Sequence, residues 1–96
     1  MDQPKQTRTV TVVNPTGLHA RAALLIANLA RKHEVALTLM KDSQAAEASS
    51  IIQMLSLGAK QGDRLVLEAC GPTAEAALGA LERLFAEKFY EKDEDP

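Results

Sequence analysis

The chain has 96 residues and a formal net charge of −2, with hydrophobic residues at 46%, which is enough for one globular core and leaves little room for a second. Aromatics at 3% and the lack of a basic cluster argue against base stacking and phosphate tracking, so nucleic acid is not an expected partner. No run reaches the ~20 apolar residues of a membrane span, and Met1-Asp2-Gln3-Pro4-Lys5 lacks the apolar centre of a signal peptide. The single cysteine, Cys70, closes no internal disulfide and builds no zinc cluster, which fits a cytoplasmic protein.

Thr7 to Val13 alternates, with Val10 and Val12 set among threonines, and predicts a half-buried strand. Asn14-Pro15-Thr16-Gly17 is a tight turn. Ala20 to Lys32, rich in Ala and Leu, predicts a helix with Arg21, Asn28 and Lys32 on one side. Val35, Leu37 and Leu39 alternate as a second strand. Lys41-Asp42-Ser43 turns the chain into a short third strand at Gln44 to Ala48. Ser49-Ser50 precede a short helix, Ile51 to Leu57, which Gly58 ends. After the turn Gln61-Gly62-Asp63, Arg64 to Cys70 is a strand with Leu65, Leu67 and Ala69 on one face. Gly71-Pro72 breaks the chain, and Thr73 is the expected cap of a final helix running to about Tyr90, with Leu78, Leu81, Leu84 and Phe85 as its buried stripe. Glu91 to Pro96 has no apolar residue and is expected to be a solvated, flexible tail beyond a single domain whose core spans about residues 7–89.

The order β-α-β-β-α-β-α begins with a strand-helix-strand unit, which should form a right-handed crossover. The last strand can then enter the gap between the first two, antiparallel to both. The expected fold is α+β, an open-faced sandwich with a four-stranded antiparallel sheet of order 1-4-2-3 and three helices on one face.

The chemistry concentrates at Gly17-Leu18-His19-Ala20-Arg21-Ala22-Ala23, where a turn delivers a histidine to the start of the first helix. A helix N-terminus has unpartnered amides and a partial positive charge, and both suit an anion. That same charge favours an uncharged, nucleophilic imidazole. Arg21 adds a planar, permanent cation. One exposed charge at a helix end gains only about 0.3–1 kcal/mol, so such a site holds a phosphate without trapping it. No Asp or Glu pairs with His19 in the sequence, and a hydrolase triad has no support. His33 is expected to be a helix-end residue, and Cys70 a buried small apolar side chain. Two histidines are too few for a metal site made by protein alone.

The five apolar side chains of Ile51 to Leu57 cover more of the helix than one buried stripe requires. Met54 and Leu57 suit the core, whereas Ile51, Ile52 and Leu55 form a candidate docking patch that Leu24 and Leu25 extend.

Gly17-Leu18-His19-Ala20-Arg21, followed at the right distance by Ser50-Ile51-Ile52 and Ser56-Leu57-Gly58, resembles the HPr family, the histidine phosphocarriers of the bacterial phosphotransferase system. The resemblance runs from about Thr7 to Phe89. It implies that His19 accepts a phosphoryl group on Nδ1 from phosphoenolpyruvate-charged Enzyme I and passes it to a downstream sugar- or nitrogen-branch component. Arg21 would assist, with Thr16, Gly17, Ala20 and Ala22 in support. Ala22 stands where the family usually has proline; its N–H is an extra donor in the first turn, expected to change phosphate affinity slightly without abolishing transfer. The resemblance also implies regulation by an HPr kinase/phosphorylase at Ser50, or at the adjacent Ser49. No cofactor or metal is expected, and the protein should be a monomer. Two other readings stand beside the carrier: a regulatory binding module of the nitrogen-branch type, and a small enzyme with a catalytic histidine.

Overall fold

A computed structural model describes residues 5–91. The elements are β1 (Lys5–Thr11), α1 (Ala20–Lys32), β2 (Ala36–Lys41), β3 (Gln44–Glu47), α2 (Ile51–Ser56), β4 (Arg64–Cys70), α3 (Ala74–Ala86) and a short 3-10 turn at Lys88–Tyr90. The strands form one antiparallel sheet in the order β1-β4-β2-β3, as the chain order predicts. Val10 lies opposite Leu65, and Leu39 opposite Leu67, so alternate residues share a face. That face meets the helices: Leu37, Leu39, Leu65, Leu67 and Ala69 are buried in one core with Ile26 of α1, Met54 of α2, and Leu78, Leu81, Leu84 and Phe85 of α3.

β1 begins and ends two residues before the expected Thr7–Val13. Val12 is fully buried, yet it has left the ladder: its N–H donates to the Asp63 carbonyl at 2.8 Å and its carbonyl accepts from the Gly62 N–H at 2.7 Å. The apolar alternation therefore outlasts the strand, because Val12 packs inward while its backbone pairs with the turn before β4.

Three other expectations are corrected. The Thr73 hydroxyl caps nothing in α3; it donates to the His33 carbonyl at 2.5 Å and ties the start of α3 to the end of α1. Cys70 is half-buried at the end of β4, where it pairs with Lys5 on one side and Ala36 on the other. The last helix stops at Ala86 instead of Tyr90, and Lys88, Phe89 and Tyr90 follow with φ of 57°, 55° and 61°. A left-handed L-residue costs roughly 1–2 kcal/mol, so this turn needs compensation. Phe89 supplies part of it: the ring is 1% exposed and packs edge-on against Phe85, with centroids 4.8 Å apart. Phe85 and Phe89 sit at helical spacing, which is why the pattern predicts a continuous helix. The burial is real, but a left-handed turn delivers it.

α2 starts at Ile51 as expected and ends at Ser56, one residue before the expected Leu57, which is its C-cap. The Ser50 side chain accepts from the Gln53 N–H at 3.2 Å, and Gly58, with φ of +62°, donates its N–H to the Leu55 carbonyl at 3.1 Å. Ser50→Ala leaves the Gln53 N–H without that acceptor and is expected to cost about 1 kcal/mol. Urea unfolding of the variant should show a lower midpoint at an unchanged slope.

Candidate functional site

The site is assembled by the turn between β1 and α1. The Gly17 N–H donates to the Asn14 carbonyl at 3.1 Å, and Gly17 has φ of +69°. A Cβ at Gly17 would lie 2.6 Å from the Ala59 carbonyl oxygen, so only glycine lets the turn rest against that segment. Leu18 is buried and its N–H donates to the same carbonyl at 3.0 Å. These contacts fix the residue that follows.

His19 occupies the N-cap position of α1 with extended backbone, and its side chain makes no capping hydrogen bond. The amides of Ala20, Arg21 and Ala22 have no acceptor four residues back within the helix. The His19 side chain is 30% exposed. Arg21 and Ala20 are exposed in the first turn, and the Ala22 side chain is buried. The first turn thus combines a reachable imidazole, spare backbone donors and a guanidinium.

The sequence reading missed one participant. Glu91, expected to belong to a solvated tail, folds back onto the site. Its Oε2 lies 2.5 Å from His19 Nε2 and 2.9 Å from Asn14 Nδ2, and it also accepts from the Thr16 hydroxyl. So an acidic residue does pair with His19, from 72 residues away. The Thr16 hydroxyl is the largest influence holding the Glu91 carboxyl below its ordinary value; His19 and Asn14 act in the same direction, and partial burial opposes them. A carboxylate only accepts, so His19 Nε2 carries the proton in this contact. Residues 92–96 of the expected tail lie outside the described residues.

Asn14 organises the arrangement. It is completely buried, and its Nδ2 also donates to the Gly17 carbonyl at 2.9 Å and lies 3.1 Å from Thr16 Oγ1. The three acceptors around Nδ2 fix the amide's orientation. Its Oδ1 is buried without a partner among the described residues, a cost of the kind that stability alone does not favour. In the sequence Asn14 reads only as a turn former. The signal for Glu91 was Phe89: an apolar residue needing burial must hold the chain against the body two residues before the carboxylate.

The lowered Glu91 value gives a signed pH dependence. A carboxyl depressed in the folded state stabilises it above the unfolded value near 4.5, and that contribution is lost as pH falls through the lower folded value. The stability gap between the wild type and Glu91→Gln should therefore narrow as pH falls below about 4.5. Urea midpoints measured across that range check it.

Of the residues expected to form a docking patch, Ile52 is 77% exposed, Leu24 45% and Leu55 38%. Ile51 and Leu25, expected in the same patch, are half-buried and pack against the core, while Met54 and Leu57 are buried as expected. Ser50 is half-buried as the α2 cap and Ser49 is exposed. His33 is the C-cap residue of α1. No helix among the described residues is long and apolar enough to cross a membrane.

Residues 6–87 match the PTS-HPr family model, described as "PTS HPr component phosphorylation site". The chain is 40% identical over 85 residues to the phosphocarrier protein HPr of Treponema pallidum, covering 88% of this chain and 97% of that protein. It is 38% identical over 87 residues to the phosphocarrier protein NPr of Shewanella violacea, covering 91% and 96%. Among solved structures, HPr-C-His from Thermoanaerobacter tengcongensis superposes with a TM-score of 0.84 at 38% identity, covering 91% of this chain and 98% of that one.

Proposed function

Because the chain belongs to the HPr family of phosphotransferase-system phosphocarriers, we propose that His19 is its phosphoryl acceptor, taking the group on Nδ1 from phosphoenolpyruvate-charged Enzyme I and passing it to a downstream component. The observation that carries this reading is a partly exposed imidazole at the uncapped N-terminus of a 13-residue helix, with Arg21 in the same first turn.

Transfer between two proteins asks little covalent chemistry of the carrier. It asks that the acceptor atom be held in line and that the moving charge be stabilised. The Gly17 turn and the Asn14 amide hold the position. The amides of the first turn and the Arg21 guanidinium meet the phosphoryl oxygens, with Ala22 adding an N–H that proline would lack. Since these are surface interactions, the group is held loosely enough to move on.

Leu24, Ile52 and Leu55 form the docking surface for both donor and acceptor, with Leu25 and Ile51 at its edge. One surface serving two partners in turn makes the protein a stoichiometric relay that requires no cofactor of its own. Ser50 lies at the border of that surface. A phosphate on Ser50, or on Ser49, places about −1.5 to −2 charge beside the docking residues and opposes loading of His19.

A second reading is a regulatory module of the nitrogen-branch type, whose phosphorylation state controls partner proteins. The likeness to NPr of Shewanella violacea and the exposure of Ile52 favour it. One assay separates the two. With Enzyme I and labelled phosphoenolpyruvate, the carrier acquires an acid-labile label that chases onto a downstream component. A regulatory module takes label that does not chase onward, and its hold on a partner changes with labelling.

A further inference from the structure

We propose that Glu91 is a positioning residue for the phosphoryl transfer: its carboxylate holds the proton of His19 on Nε2, so that the lone pair is presented on Nδ1. This inference rests on the reading of His19 as the phosphoryl acceptor. Three features carry it. Glu91 Oε2 lies 2.5 Å from Nε2, on the ring nitrogen opposite the proposed nucleophile. The same oxygen receives the Thr16 hydroxyl and the buried Asn14 amide, so it is held from two further directions. The chain reaches it through three consecutive left-handed residues anchored by the buried Phe89, a costly path for a segment that did nothing.

The step balances as follows. The Nδ1 lone pair forms the nitrogen–phosphorus bond while the bond from phosphorus to the donor atom of the charged partner breaks. That bond's electron pair returns to the donor atom. The proton stays on Nε2, and the positive charge the ring gains faces the Glu91 carboxylate. The contact strengthens as the bond forms, which is the condition for lowering a barrier. When the phosphoryl group leaves for the next protein, the sequence runs backwards and the ring returns to its starting tautomer. An aspartate behind a catalytic histidine in hydrolases has the same geometric logic, an acidic group orienting the imidazole through the nitrogen that does not react.

The test uses the full chain, with ¹⁵N-labelled imidazole, as wild type, Glu91→Gln and Glu91→Ala. Two readouts are taken: the proton distribution between Nδ1 and Nε2 by long-range ¹H–¹⁵N correlation, and the rate of labelling by Enzyme I and phosphoenolpyruvate. In the wild type the proton should reside on Nε2. Glu91→Gln keeps an acceptor but removes the charge, and should retain the tautomer while slowing labelling a few-fold. Glu91→Ala removes both, so the proton should appear on both nitrogens and labelling should slow by about tenfold or more, the lower end of what losing an orienting partner costs a metal-bound histidine. A folded Glu91→Ala with the wild-type proton distribution and labelling rate overturns the positioning role and leaves His19 as the acceptor. A wild type that takes no label from Enzyme I overturns the acceptor reading itself, and this inference with it.

Discussion

If His19 is the acceptor as proposed, His19→Ala should acquire no acid-labile label from Enzyme I and phosphoenolpyruvate, a drop of at least about 10³-fold in transfer, because it removes the proposed nucleophile instead of weakening it. The fold should survive. The His19 side chain makes no capping bond to α1, so alanine there forfeits none of the stabilisation that a serine or aspartate cap supplies. What is lost is the contact with Glu91, whose carboxylate keeps its bonds from Thr16 and Asn14. The expected change in stability is about 1 kcal/mol or less. Loss of label with an unshifted urea midpoint assigns the effect to chemistry. A labelled His19→Ala variant would move the acceptor elsewhere.

Phe89→Ala should be among the more destabilising single changes outside the sheet. Removing a fully packed phenylalanine typically costs about 3–5 kcal/mol, out of a total of about 5–15 for a domain of this size. Here the loss reaches the site as well. Lys88, Phe89 and Tyr90 together carry roughly 3–6 kcal/mol of left-handed backbone cost, and the burial of Phe89 against Phe85 offsets much of it. Without the ring the turn has little reason to persist, and Glu91 should leave the Asn14–Thr16–His19 cluster. Relief of that backbone cost as the turn opens offsets part of the lost burial, so thermal unfolding should fall by several degrees, given the roughly 4–8 °C expected per kcal/mol. Imidazole spectra of the variant, recorded below its transition, should then resemble those of Glu91→Ala.

The parts of this protein that were legible in its sequence share one property: their cause is local. Alternation set β2 and β4, Ala and Leu content set α1 to the residue, and Ser50 and Gly58 bracketed α2 because caps act within a turn of where they stand. Strand order followed from element order and handedness. His19 and Arg21 were visible because the turn before them and the helix after them are contiguous. What was hidden depended on partners far along the chain. Val12 follows the alternation of β1 but bonds to Gly62 and Asp63. Thr73 has the composition of a cap but gives its hydroxyl to His33. Glu91 heads a run of charges that reads as solvated, and only the docking of Phe89 brings it to His19. Asn14 was seen as a turn residue, and its burial beneath the site belongs to the tertiary structure.

The turn bearing His19 is stitched to the connection between α2 and β4. Leu18 donates to Ala59, Val12 exchanges backbone bonds with Gly62 and Asp63, and the Gln61 side chain donates to the Val13 carbonyl at 3.1 Å. A loop secured on both flanks arrives at each encounter already shaped, so neither donor nor acceptor must freeze it before contact becomes productive. In the proposed relay, a carrier that meets two proteins in every cycle would otherwise incur that ordering penalty twice.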